Sequence, residues 1–196
     1  MKAVLVALTL LSPSAFAETY KVDSNASRIE WKAGKKVGSF HNGGINVKGG
    51  EVETDDNGAL KKLNVIVDMK TISNEDLKDS PEYQTKLVQH LSSEDFFNVS
   101  KYPESRFEMT NFAFKKGSTS EAVIKGKFTM NGQTHPVSFP ATVSKEGNTI
   151  KGKGGLKIER LKWNLRYGSG SIFKSLTADK IINDTFDLTF DLVGTK

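Results

Sequence analysis

The chain of 196 residues contains no cysteine. Disulfide bonds, thiolate metal sites and thiol nucleophiles are therefore excluded. A lipid anchor of the bacterial lipoprotein kind is not expected, because that anchor is attached to a cysteine that follows the export signal. The stability of the fold must therefore come from a packed core without covalent cross-links.

Histidine is also scarce, and no pattern typical of a catalytic or metal site is present. The three histidines are His41, His90 and His135, and no two of them have the spacing of metal ligands. The run Gly168-Ser169-Gly170-Ser171 resembles a serine-nucleophile motif only loosely and is more typical of a flexible loop. The sequence therefore predicts a protein that is not an enzyme and that has no metal site, no catalytic residues and no cofactor.

The charge is mildly positive and spread along the chain. The formal net charge is +5, and the lysines do not gather on one segment. Isolated lysines of this kind are typical of solvated loops and guarded strand edges. Binding to nucleic acid is not expected. Attraction to anionic lipid head groups remains an alternative, so transient membrane contact is left open. A homodimer is left open as well.

The first residues are typical of a secretory signal. Lys2 is followed by an apolar run from Ala3 to Leu11, and then by Ala15-Phe16-Ala17. This order of charge, apolar core and small residues predicts a signal peptide over residues 1–17, with cleavage between Ala17 and Glu18. A buried first strand or helix is the alternative. Cleavage would leave one domain, residues 18–196, in the periplasm or outside the cell, and no later run is long enough to span a bilayer.

Most of the remaining chain alternates between apolar and polar residues, which is typical of half-buried β-strands. Phe186, Leu188 and Phe190, for example, alternate with charged and hydroxyl residues. The pair Asn131-Gly132 predicts a two-residue hairpin turn. The strands should therefore be antiparallel neighbours that form a barrel or a sandwich.

One segment has helical spacing instead. Pro81 can open a helix, with Asp79 or Ser80 as its cap, and the helix should end near Leu91. Its apolar stripe would need a sheet or a barrel mouth to cover it. The stripe comprises Tyr83, Leu87, Val88 and Leu91.

Several motifs together resemble a known family. The first motifs follow one another from the last turn of the predicted helix onwards: His90-Leu91, Asp95-Phe96-Phe97 and Lys101-Tyr102-Pro103. The segment Gly126–Gly132 with Pro136-Val137 resembles a hairpin of the same family. This is the YceI-like, polyisoprenoid-binding family, and the resemblance extends over Glu18 to Lys196. Glu159-Arg160 departs from the pattern, because many members carry an aspartate-arginine pair near that position.

The resemblance implies an all-β fold, an antiparallel lipocalin-like barrel of about eight strands with one helix near its mouth. It also implies a secreted or periplasmic protein that binds a long-chain amphiphile, such as an isoprenoid quinone, a polyprenyl phosphate or a fatty amide. From the strand pattern alone, a barrel interior filled by side chains is equally well supported.

On this basis we expect an apolar wall and a polar head-group site. The residues expected in the wall are Trp31, Phe40, Val65, Val67, Phe107, Met109, Phe128, Phe139 and Trp163. The residues expected at the head group are His41, Asn42, His90 and Arg166. Two alternatives to lipid binding or transport are an enzyme that acts on a bound isoprenoid and a module that binds a stress protein.

Overall fold

The computed structural model describes residues 17–56 and 58–196. The predicted signal segment up to Phe16 lies outside the described residues. The described chain forms nine strands, one α-helix and two short 3-10 helices. Their bounds are β1 Glu18–Val22, β2 Arg28–Gly34, β3 Phe40–Thr54, β4 Leu60–Asp68, the first 3-10 helix Met69–Thr71, α1 Pro81–Ser92, β5 Glu104–Phe114, β6 Glu121–Met130, β7 Gln133–Glu146, β8 Thr149–Glu159, the second 3-10 helix Arg160–Trp163 and β9 Thr185–Thr195.

The strands form a closed antiparallel barrel, which confirms the predicted fold class. From β2 onwards each strand pairs with the next, and β9 returns to pair with β2, where Phe190 lies opposite Ile29. The short strand β1 pairs with β3 and β9 beyond Arg28, the first residue of β2. The barrel therefore has eight strand positions, one of which is shared by β1 and β2.

The two ends of the barrel differ in their connections. The connections after β3 (Asp55, Asp56, Gly58 and Ala59), after β5 (residues 115–120) and after β7 (residues 147–148) lie at one end, called here the hairpin end. The other end, called here the helix end, carries the connections 35–39, 69–103, 131–132 and 160–184. The predicted turn at Asn131-Gly132 is among them, with positive φ angles of 48° and 71°. Asparagine and glycine tolerate these angles, so this sharp turn is encoded locally.

The helix begins at Pro81 as predicted, but it is more exposed than its apolar stripe suggests. Ser80 is the N-cap residue, yet its side chain makes no capping hydrogen bond. No residue of α1 is fully buried, and Tyr83 is 67% exposed. Val88 and Leu91 pack against the barrel core. The helix thus covers the helix end loosely, through one part of its stripe.

Candidate functional site

The inside of the barrel contains an apolar cavity of about 140 Å³. It extends from Leu60 and Val143 near the hairpin end to Ile72 and Phe97 in the connection that carries α1. An apolar cavity of about this size in another protein stays free of water and binds benzene. The space is therefore suited to a hydrocarbon group rather than to a polar ligand.

The cavity wall offers almost no polar chemistry. Of the described lining residues, only Trp31, Ser105 and Lys151 have a nitrogen or oxygen atom in the side chain, and the indole N–H of Trp31 donates to the carbonyl oxygen of Ser73 at 3.1 Å. The hydroxyl of Ser105 is buried and donates to the Sδ of Met69 at 3.0 Å. The ammonium of Lys151 bonds to Glu146 at 2.8 Å. No carboxylate or imidazole belongs to the described lining, and the wall is suited to bury an apolar chain.

Two positions of the cavity wall are glycines, Gly152 and Gly194, and of these Gly152 faces open space. Gly152 on β8 lines the cavity between Val143 on β7 and Leu192 on β9. A Cβ atom built at Gly152 would meet no heavy atom within 4 Å. The glycine therefore contributes directly to the empty volume of the barrel.

The space beside Gly126 on β6 is, in contrast, already filled by other atoms. A Cβ atom there would lie 2.5 Å from the ring of Phe107 and 2.5 Å from the carbonyl oxygen of Glu108. The Phe107 ring packs over this glycine and stands 5.3 Å, between centroids, from the ring of Phe139. The missing side chain at Gly126 thus allows two aromatic rings to form part of the wall.

The structure brings six of the nine expected wall residues together around the cavity. They are Trp31, Val65, Val67, Phe107, Phe128 and Phe139. Each lies on an inward position of its strand, where the period-two pattern placed it. Their contact with a ligand remains a prediction.

The other three expected wall residues lie outside the lining. Phe40 is 56% exposed, because the inward positions in this part of β3 are Gly43 and Ile45, and Phe40 has the opposite parity. Met109 is half-buried beside a bulge in β5. Trp163 is buried in the second 3-10 helix, where its indole N–H donates to the carbonyl oxygen of Phe128 at 3.1 Å.

Several lining residues were not expected from the sequence as wall residues. Phe186, Leu188 and Phe190 come from the clear alternation on β9, and this signal could have identified them. Ile72 and Phe97 lie in irregular parts of the connection between β4 and β5. No strand period marks them, so only the packing of that connection onto the barrel places them at the cavity.

The expected head-group residues all lie at the helix end, and both histidines have carboxylate partners. His41 Nδ1 is 2.8 Å from Asp76 Oδ2, and the other oxygen of Asp76 accepts the backbone N–H of Asn42 at 2.9 Å. Burial favours a higher pKa for Asp76, but the hydrogen bonds from Asn42 and His41 outweigh it and hold the pKa below its ordinary value. The side chain of Asn42 is exposed.

His90 belongs to an aromatic cluster. Its Nε2 is 3.1 Å from Asp95 Oδ2, and its ring meets Phe96 and Tyr167 edge to face at 5.0 and 4.6 Å between centroids. This cluster joins α1 to the connection between β8 and β9. Arg166 lies next to Tyr167 and is exposed. The four residues therefore share one end of the barrel without converging on a single polar site.

A buried arginine anchors the connection between β8 and β9. Arg160 is 3% exposed, and its guanidinium donates to the carbonyl oxygens of Leu165, Ile182 and Asn183 at 2.5, 3.2 and 2.8 Å. Burial lowers the pKa of Arg160 below its ordinary value. Its nearest carboxylate oxygen belongs to Asp184, at 3.5 Å. The arginine is therefore a structural clamp rather than a ligand group.

The described residues contain no cluster of three or more histidine, aspartate or glutamate side chains able to hold a metal ion. Over the same part of the chain, no helix has both the length and the apolar character needed to cross a membrane.

Comparison with known proteins places the chain among relatives of the same fold. The family model described as the YceI-like domain matches residues 20–194. A UPF0312 protein of Pseudomonas putida (strain GB-1) is 34% identical over 148 residues, which are 74% of this chain and 72% of the relative. A UPF0312 protein of Yersinia pestis (strain Pestoides F) is 31% identical over 147 residues, 74% of this chain and 71% of the relative.

Solved structures share the barrel at lower sequence identity. BcnA of Burkholderia cenocepacia superposes with a TM-score of 0.62 at 21% identity, covering 89% of this chain and 99% of BcnA. A polyisoprenoid binding domain from Saccharophagus degradans, implicated in plant cell wall breakdown, superposes with a TM-score of 0.63 at 14% identity, covering 90% and 97%. At these identities the likeness establishes the fold.

Proposed function

The chain belongs to the family of YceI-like domains, and from this premise we propose that it binds the apolar tail of a long-chain amphiphile inside its barrel. The ligand class is an isoprenoid or a comparable lipid. The observation that carries the proposal is the apolar cavity, whose wall includes the side-chain-free position Gly152. The polyisoprenoid binding domain from Saccharophagus degradans, which shares the fold, supports the choice of ligand class.

Binding by this wall is a partition of hydrocarbon out of water. Each buried methylene contributes about 0.8 kcal/mol. Ten to fifteen methylenes contribute about 8–12 kcal/mol, against an association cost of about 4–15 kcal/mol. Affinity should therefore rise steeply with tail length and depend little on polar contacts.

A long tail needs more room than the cavity offers. The volume of about 140 Å³ is comparable with that of a cavity that holds one benzene ring. The helix end is the part of the barrel best able to yield, because no residue of α1 is fully buried and Phe97 in its connection is only half-buried. We place tail entry at this end, with the head group near His41, Asn42, His90 and Arg166.

The predicted export signal extends the proposal to a location. A carrier that leaves the cytoplasm and holds an apolar tail inside a barrel can move lipids through the aqueous space between membranes. In this proposal the protein is a periplasmic or secreted lipid carrier, and a membrane is both the source and the destination of its cargo.

The test is to identify what the purified protein carries. Protein produced with its native export signal is extracted with organic solvent, and the extract is analysed by mass spectrometry. A long-chain lipid bound at near one molecule per chain is the expected result. Protein that carries no lipid, and that takes up neither a polyprenyl phosphate nor an isoprenoid quinone added to it, would overturn the proposal. Conversion of the added lipid to a product would favour an enzyme instead.

A further inference from the structure

We propose that two neighbouring segments at the helix end, residues 32–40 and 166–183, form a surface that docks onto anionic membranes. These two segments are called here the docking face. The inference concerns the outside of the barrel and does not depend on which ligand the cavity holds.

The docking face displays large apolar side chains to solvent. Val37 and Phe40 are 59% and 56% exposed, and Ile172 and Phe173 are 41% and 47% exposed. Tyr167 on the same face is 44% exposed. Among the described residues the only other large apolar side chain with comparable exposure is Tyr83 on α1. Exposed apolar groups that gather in one region are typical of a contact surface.

The same two segments account for the net positive charge of the protein. They contain six cations, and Asp179 is their only acidic residue. The whole chain has 28 cations and 23 acidic residues, so the rest of it has 22 of each and is neutral. The six cations are Lys32, Lys35, Lys36, Arg166, Lys174 and Lys180. The net charge of +5 is thus a property of this face.

These cations are available to a partner. No ion pair within 4 Å joins any of the six to a carboxylate of the described chain. Lysines on the barrel wall differ from them, since Lys153 pairs with Asp191 at 2.6 Å and Lys157 with Asp187 at 2.7 Å. The ammonium of Lys32 instead lies 5.3 Å from the centroid of the Phe40 ring. The face therefore combines unpaired cations with exposed aromatic rings.

Backbone hydrogen bonds join the two segments into one surface. The N–H of Lys36 donates to the carbonyl oxygen of Ile181 at 2.8 Å, and Lys35 forms a bridge with Ile182. The side chain of Asn183 donates to the carbonyl oxygen of Lys35 at 3.2 Å. Below them, Arg160 clamps the carbonyl oxygens of Leu165 and Ile182. The apolar and cationic side chains are thus presented together on a pre-ordered base.

This combination matches the surface of an anionic bilayer. Lysine and arginine are attracted to acidic head groups, while aromatic and aliphatic side chains enter the interfacial region. The connection that carries α1 has the opposite balance, with six carboxylates and four cations between Met69 and Pro103. A negatively charged membrane should therefore meet the docking face rather than α1. A protein partner is the competing occupant, and the vesicle experiments decide between the two.

The first test is co-sedimentation of the full chain with lipid vesicles. We expect binding to phosphatidylcholine vesicles that contain phosphatidylglycerol, no binding to phosphatidylcholine alone, and loss of binding at high salt. The double variant Lys36→Glu/Lys174→Glu should weaken binding by about tenfold or more. The matched control Lys116→Glu/Lys125→Glu makes the same charge change away from the face and should bind within about twofold of the parent protein.

The second test locates the contact. In the variant Phe173→Trp, lipids brominated on their acyl chains should quench the added fluorescence when anionic vesicles are present. In the control Phe114→Trp, which places the tryptophan near the hairpin end, they should not. The parent residues Trp31 and Trp163 are buried, so their background is common to both variants.

Three results would overturn the docking face. They are no binding by the parent protein, equal losses in the two charge-change variants, and equal quenching at positions 173 and 114. Capture of a protein partner by a chain that does not bind vesicles would assign the face to that partner and also contradict the proposal. Lipid extraction from Lys36→Glu/Lys174→Glu keeps the two proposals separate, because this variant should still carry cargo.

Discussion

Gly152 lies directly opposite Leu192 in the pairing of β8 with β9, and both residues line the cavity. A Cβ atom at Gly152 would enter open space. The side chain of Leu192 on β9 therefore forms part of the cavity wall, whereas Gly152, opposite it on β8, leaves empty space. This relationship allows the cavity to be filled without disturbing the barrel.

The substitution Gly152→Leu should abolish binding of the tail without loss of stability. The new side chain occupies the space that the ligand needs, and replacing a glycine within a strand removes a conformational cost of about 0.5–1 kcal/mol. Binding is measured by uptake of an added polyprenyl phosphate, and stability by chemical denaturation. Gly152→Ala serves as the graded control and should bind more weakly than the parent but better than Gly152→Leu. Unchanged uptake by Gly152→Leu would show that the tail does not lie in this cavity.

Gly126→Val should destabilise the protein by about 1–3 kcal/mol, because the site is already filled. The added atoms would overlap the Phe107 ring and the carbonyl oxygen of Glu108, each 2.5 Å from the built Cβ. The free energy of unfolding in urea provides the measurement. Gly152→Val is the matched control on another strand and should be neutral or stabilising. Equal effects of the two valines would contradict the packing described for the cavity wall.

Arg160→Met should cost about 3 kcal/mol of stability and loosen residues 164–184. Methionine fills a similar space but leaves the carbonyl oxygens of Leu165, Ile182 and Asn183 without their buried donor. Denaturation and hydrogen exchange of this segment measure the two effects. Arg166→Met, which replaces an exposed arginine, is the control and should change neither the stability nor the hydrogen exchange of this segment. Normal protection of the segment in Arg160→Met would show that it is held by other contacts.

Stability should depend on pH through Glu18 at the hairpin end. Its carboxylate pairs with Lys145, accepts the Tyr20 hydroxyl at 2.5 Å and pairs with Lys196 at 2.9 Å. The bonds from Lys145, Tyr20 and Lys196 lower the pKa of Glu18 from 4.5 to about 2. A lowered pKa stabilises the folded state above the ordinary value, and this stabilisation is lost as the pH falls from 4.5 towards about 2.

The variant Glu18→Gln isolates that contribution. At pH 6 its thermal midpoint should lie below that of the parent protein, and the difference should shrink as the pH falls towards 2. Glu94→Gln, which changes an exposed side chain at the other end, should show no difference at either pH. If the difference in thermal midpoint between Glu18→Gln and the parent protein does not change with pH, the Glu18 carboxylate is not the cause of that difference.

Much of the fold could be predicted from the sequence because strands and turns are encoded locally. The alternation along β6, β7 and β9 correctly indicated which residues face inwards, and Asn131-Gly132 correctly marked a turn. The prediction of a helix that begins at Pro81 was also correct. Six wall residues followed from this parity, since period two assigns a side chain to one face of a strand.

The remaining wall positions depended on features without a local signal. A register shift between Val47 and Gly49 reverses the parity of β3, so the exposed Phe40 could not be assigned from its aromatic character. Ile72 and Phe97 reach the cavity only because their irregular connection folds over the barrel. The pairings of His41 with Asp76 and of Arg160 with carbonyl oxygens join residues that are distant in sequence or lie in irregular loops.

The sequence by itself determined the strand-rich fold, its turns, the single helix and the absence of disulfide chemistry, because each of these follows from neighbouring residues or from composition. Only the tertiary structure decided that the barrel interior is not completely filled, since a void depends on how side chains from several strands meet. It also decided that segments 32–40 and 166–183 form one cationic, apolar face. Backbone bonds such as that from Lys36 to Ile181 join parts of the chain that no local pattern relates.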